Sequence, residues 1–223
     1  MDNKTYEYVE DRSMTIQQYI NNIFKWMIIG VLTTFVTAFA LDKSAFMLPF
    51  ILIIFQFAVV IGLSRRLMTM KPITAKVLYM IYSVITGVTF SYVIASYTSF
   101  SVALAFLVAA IYFGVLVVLG TVIKMDLTRI GTICLAGLFV YIIFSVIVMI
   151  FHLGVGTLIM PLISLALFAG ITAYDMQKSL QLYNYASSNP EMLEKLSIYG
   201  AFNLYLDFVN IFLDILQLLG DNK

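Results

Sequence analysis

The sequence predicts an all-α integral membrane protein with seven transmembrane helices, the last of them central, on three observations. The composition is 62% hydrophobic and 11% charged, with net charge +1, where a soluble globular mixture carries about 25% charged residues. Mean hydropathy is +0.99, and uncharged runs of about twenty residues recur, each long enough to cross a bilayer. The last run is different, because Asn203, Asp207, Asn210, Asp214 and Gln217 interrupt it.

Residues 1–22 read as a cytosolic N-terminal tail ahead of a seven-helix domain over 23–220. The tail is polar and mixed in charge, with Asp2, Lys4, Glu7, Glu10, Asp11 and Arg12, which does not make a cleavable signal peptide. The first span then serves as the insertion signal. Ile16, Tyr19, Ile20 and Ile23 fall at helical spacing, which suits either a short interfacial helix or a partly disordered lead-in. Span one covers 24–41, with Lys25 and Trp26 where snorkelling and the aromatic belt would put them. Span two covers 46–63 and ends at Arg65 and Arg66; spans three to six cover 77–97, 100–123, 130–151 and 154–174 without a charge. Span seven covers 196–220. Pro49 and Pro161 are positioned to kink spans two and six. Gly30, Gly87, Gly114, Gly120, Gly137 and Gly170 offer close-packing points between helices.

Loop charge sets the expected orientation. Arg65, Arg66, Lys71 and Lys76 lie between spans two and three, Lys124 and Arg129 between four and five, and Lys178 and Lys195 between six and seven. The alternate connections hold only Lys43, so the positive-inside rule places the N-terminus in the cytoplasm. A fully crossing last span puts the C-terminus outside, and a re-entrant one returns it inside. The small net charge gives no reason to expect nucleic acid as a partner. Cys134 has no second cysteine to pair with, and His152 has no Cys, Asp or Glu beside it, so no disulfide, metal centre or cofactor is expected.

The polar positions of the last span step by four, three, four and three, which places them on one helical face. An ionised Asp at bilayer depth costs about 2.5–3.5 kcal/mol, so a stripe holding Asp207 and Asp214 is expected to face protein or water. Asp175 ends span six on the side where span seven begins, within approach of Asp207. Two carboxyl groups that close share a proton and titrate as a unit, which makes a pH switch in principle. Arg65 or Arg66 could compensate the remaining charge. Asp175 as a solvated helix-end charge, Asp214 as a solvated group near the far interface, and the arginines as plain topology signals remain open on this reading.

The run Leu204-Tyr205-Leu206-Asp207-Phe208-Val209-Asn210-Ile211-Phe212 resembles the last-helix signature of the Bax inhibitor-1, or transmembrane Bax inhibitor motif, family in its bacterial branch. Tyr174-Asp175-Met176-Gln177 resembles the penultimate-helix motif, and Lys124-Met125-Asp126-Leu127 with Gly131 resembles the fourth connection. Residues 24–34 resemble the first helix, so the likeness covers nearly the whole chain. The resemblance implies a last helix between two three-helix layers and a pH-sensitive calcium leak across a bacterial plasma membrane. It makes Asp175 and Asp207 the paired sensor and transient calcium ligands, with Arg65, or else Arg66, as their lock. Asp214 departs from the family pattern.

Three functions follow for comparison. A proton-gated calcium channel would use oxygen ligands from Asp207, Asp175 and the asparagines, which suit a hard cation. A non-conducting membrane regulator would use the stripe only to hold helices together. An intramembrane aspartyl protease ranks lowest, because that class resembles a Gly-x-Gly-Asp motif where this chain reads Leu204-Tyr205-Leu206-Asp207. The chain is therefore read as a non-enzyme whose partners are the bilayer, calcium and protons.

Overall fold

The computed structural model describes residues 14–41, 56, 59–62, 69–151, 158–186 and 189–221. Its helices are α1 Ile16–Ala40, α2 Pro72–Ala95, α3 Ser99–Val122, α4 Thr128–Ile150, α5 Ile159–Ala186 and α6 Pro190–Leu219. All six are long and apolar enough to cross a membrane, so the protein is an all-α membrane protein. The expected second span, with Pro49, Arg65 and Arg66, lies outside the described residues except for Gln56 and 59–62, which are helical.

Capping chemistry moves several boundaries away from the hydropathy edges. Thr15 accepts a hydrogen bond from the Gln18 amide and donates its own amide to the Gln18 side chain, a reciprocal cap that starts α1 at Ile16. The boundary expected at residues 22–23 therefore falls inside α1, where Tyr19 and Ile23 are fully buried. Asn189 caps α6 by accepting from the Met192 amide, Pro190 follows at the first turn, and Glu191 suits that helix end. Pro161 sits in the first turn of α5, where no intrahelical amide bond is lost, so it does not kink a mid-helix turn. The helix runs on to Ala186, twelve residues beyond the end expected at Tyr174.

α6 is the central element: it packs against α1, α2, α3 and α5, while α4 packs on α5 at the periphery. At 30 residues α6 is about 45 Å long, against a hydrocarbon core of about 30 Å, so it is long enough to cross fully. α1 and α2 run parallel. An added Cβ at Gly30 would strike the Tyr79 ring, one at Gly87 would strike Thr37, and the Thr34 hydroxyl donates to the Ser83 carbonyl between them. Glycine is required at both points because the apolar effect does not drive helices together in lipid, and close backbone approach must do so. Gly114, by contrast, faces open space.

One end of the bundle gathers the basic residues. Lys76 pairs with Glu194 at 2.5 Å and stands over the Trp26 ring, and Lys195 pairs with Glu191. At the other end the α2–α3 connection and the start of α3 hold Asp221, just past α6, through the Thr98 amide on the Asp221 carbonyl and the Asp221 amide on the Ser101 hydroxyl.

Candidate functional site

α6 has two unlike faces. On one, Phe202 and Tyr205 meet the rings of Tyr79 and Tyr82, while Phe208 and Phe212 meet Phe106, Phe113, Phe35 and Phe90, with centroids 5.1–6.4 Å apart. The Tyr205 hydroxyl is 2.6 Å from that of Thr34, which in turn reaches the Ser83 carbonyl. Such edge-to-face contacts contribute about 0.5–1.5 kcal/mol each and lock this face. On the other face Asn203, Asp207, Asn210 and Asp214 line a cavity of about 540 Å³.

α5 closes the cavity with Ser164, Phe168, Ile171 and Asp175, and α4 with Leu135, Leu138, Tyr141 and Ile142; Gln56, Val60 and Tyr82 complete the wall. From Asn203 to Asp214 the α6 backbone rises about 16 Å, half the thickness of a bilayer core. Asp207 is 3% exposed and Asp214 8%. One carboxylate oxygen of each is buried without a hydrogen-bond partner. The Asn210 amide nitrogen donates to the Leu206 carbonyl at 2.7 Å, which leaves its oxygen to the cavity.

Asp175 lies on the same wall, and its charge reaches Asp207. It does not end its helix, as the sequence suggested, because α5 continues for three more turns. Gly200 of α6 presses on Ser179 of α5, so Asp175, one turn along, lies near the level of Asn203, with Asp207 about 5 Å deeper. Gln217 is exposed in the last turn of α6, beyond the cavity and away from the other stripe residues. Arg65 and Arg66 lie outside the described residues. Among the described residues the cation acting on Asp175 is Lys178, whose ammonium stands 5.4 Å from the Tyr174 ring centre. No group of three or more His, Cys, Asp or Glu among them could hold a metal ion, so Asp175 and Asp207 do not form a closed cage.

The two remaining motifs turn out to be one structure. Gln177 accepts from the Leu127 amide and donates to the carbonyls of Ile123 and Met125, clamping the α3–α4 connection to α5. Tyr174 fills the space over Gly131, where a Cβ would collide with its ring. Asp126 accepts from the amide and hydroxyl of Thr128, closing a turn just ahead of α4. Tyr141, Ser164, Gln56 and the Gln177 clamp carry no charge and no periodic signal, and sequence reading did not find them.

A bundle of membrane-crossing helices around a polar central helix, with an acid-lined cavity beside it, defines a multi-pass integral membrane protein. The family model described as Inhibitor of apoptosis-promoting Bax1 matches residues 16–223, and the chain belongs to the Bax inhibitor-1 family. It is similar to the inner membrane protein YbhL of Escherichia coli, at 33% identity over 218 residues covering 93% of each chain. A protein of Deinococcus radiodurans is 34% identical over 218 residues, covering 91% of this chain and 90% of that one. One of Borreliella burgdorferi is 29% identical over 215 residues, covering 92% and 93%.

Proposed function

We propose that the protein is a pH-sensitive calcium leak channel of a bacterial plasma membrane, with its N-terminus in the cytoplasm and no catalytic chemistry. The observation that carries this reading is the intramembrane cavity into which two neighbouring helices project Asp175 and Asp207. Oxygen ligands on a single polar face suit a hard divalent cation in transit. One proton held between the two carboxyl groups leaves one negative charge as the partner for the arginine lock that the family resemblance implies, Arg65 or else Arg66. This is the closed state. A second proton removes the charge and strands the arginine, and a buried cation without its partner costs several kcal/mol unless it moves toward water. Acid therefore opens the leak. Because the carboxyl groups interact, the transition belongs to the pair and not to either residue.

The test is calcium entering liposomes that contain the purified protein, at stepped pH. The parent should leak more as pH falls, Asp207→Asn should insert but lose the pH dependence, and Arg65→Ala or Arg66→Ala should raise flux at neutral pH. A parent that passes no calcium at any pH sinks the channel reading and leaves a non-conducting regulator.

A further inference from the structure

We propose that Asp214 forms a second cation site at the other end of the same cavity, separate from the Asp175 and Asp207 pair. The identity of its cation, calcium, rests on the leak reading; the existence of the site does not. Asp214 lies two helical turns beyond Asp207, about 10 Å along the axis. Its carboxyl is buried, lines the cavity, and has one oxygen with no partner. The described ion pairs are Lys76 with Glu194 and Lys195 with Glu191, so neither supplies a cation to Asp214.

A buried carboxyl in that position either keeps a proton or takes a mobile cation. The surroundings supply ligands for a cation. Ser164 of α5, 3% exposed, and Tyr141 of α4 share the cavity wall, and the Asn210 oxygen lies one turn away on α6. Tyr112 of α3 also feels the charge of Asp214, but its hydroxyl is committed to the Leu165 carbonyl at 3.2 Å. A carboxylate with hydroxyl and amide oxygens around it is a hard-cation ligand set. With one charge among neutral donors it binds weakly, which suits a site that must also release its ion. Two such sites in one cavity let a cation at either end weaken the hold on the other.

Terbium reads this site without any flux measurement, because a lanthanide of calcium-like size bound beside Tyr141 and Tyr112 emits when tyrosine is excited. Terbium chloride is titrated into the purified full chain in detergent, then displaced with calcium. The parent should show calcium-displaceable emission. Asp214→Asn should remove about half of it or more, Asp214→Glu should keep it, and Asp207→Asn should leave the Asp214 share in place. Tyr141→Phe should dim the emission while calcium still displaces what remains. Emission and calcium displacement in Asp214→Asn equal to the parent's would overturn the site and show that the carboxyl holds a proton. Absence of calcium flux in the parent would instead sink the leak reading and leave the terbium result standing.

Discussion

Asp126 and Asp207 are both motif carboxylates, and their surroundings are opposite, one exposed and one buried. Asp126 is in the α3–α4 connection, exposed to water. The Thr128 hydroxyl and then the Thr128 amide hold its carboxyl below the usual carboxylate range, with a smaller contribution from Arg129. A depressed folded-state value means that this turn contributes fully above the unfolded value and is lost only as pH falls through the folded one. Weak acid therefore leaves Asp126 charged, so Asp126 is not a candidate for the proposed acid sensor. Asp126→Asn should leave the pH midpoint of calcium flux where the parent has it, and Asp207→Asn should abolish the midpoint. A shifted midpoint in the Asp126 variant would move the sensor out of the cavity.

At the scale of elements, α5 shows what hydropathy can and cannot locate. The apolar run ends near Tyr174, so the segment reads as a span that stops at Asp175. The helix goes on because its polar continuation has partners: Gln177 takes the loop, Ser179 faces Gly200, and Tyr183 reaches the Met14 carbonyl and the Tyr19 ring. Hydropathy marks the stretch that lipid accepts, not the stretch that protein neighbours keep helical. The stripe on α6 was legible because its spacing is a property of that helix alone. Its limit at Asp214 was not, because the cavity ends where α4 and α5 end it, and Gln217 lies past that point. The Gln177 clamp was illegible for the same reason, since its partners are backbone groups about fifty residues away. Gln177→Ala leaves the Leu127 amide and two carbonyls short of a partner, which should destabilise the fold by about 1–3 kcal/mol. Thermal unfolding in detergent measures it, and an unchanged Tm would mean that water replaces the clamp without loss.

For the whole molecule, direction across the membrane decides which end of the cavity meets the cytoplasm. The α3–α4 and α5–α6 connections sit at the end that carries Lys71, Lys76, Lys124, Arg129 and Lys195, whereas the α2–α3 connection sits at the opposite end, joined to Asp221. Positive residues near short loops stay on the cytoplasmic side. By that rule Asp175 is expected toward the cytoplasm and Asp214 toward the outside, so the proposed acid gate and the proposed second site would face different compartments. Cys134 is the chain's one cysteine, so a Cys134→Ser background makes labelling unambiguous. Ser96 and Lys124 are both exposed, at opposite ends. In that background a cysteine replacing Ser96 should react with a membrane-impermeant maleimide on intact cells. One replacing Lys124 should react only after the membrane is opened. The reverse pattern would turn the bundle over, put Asp214 on the cytoplasmic side, and make the outside pH the one the Asp175 and Asp207 pair responds to.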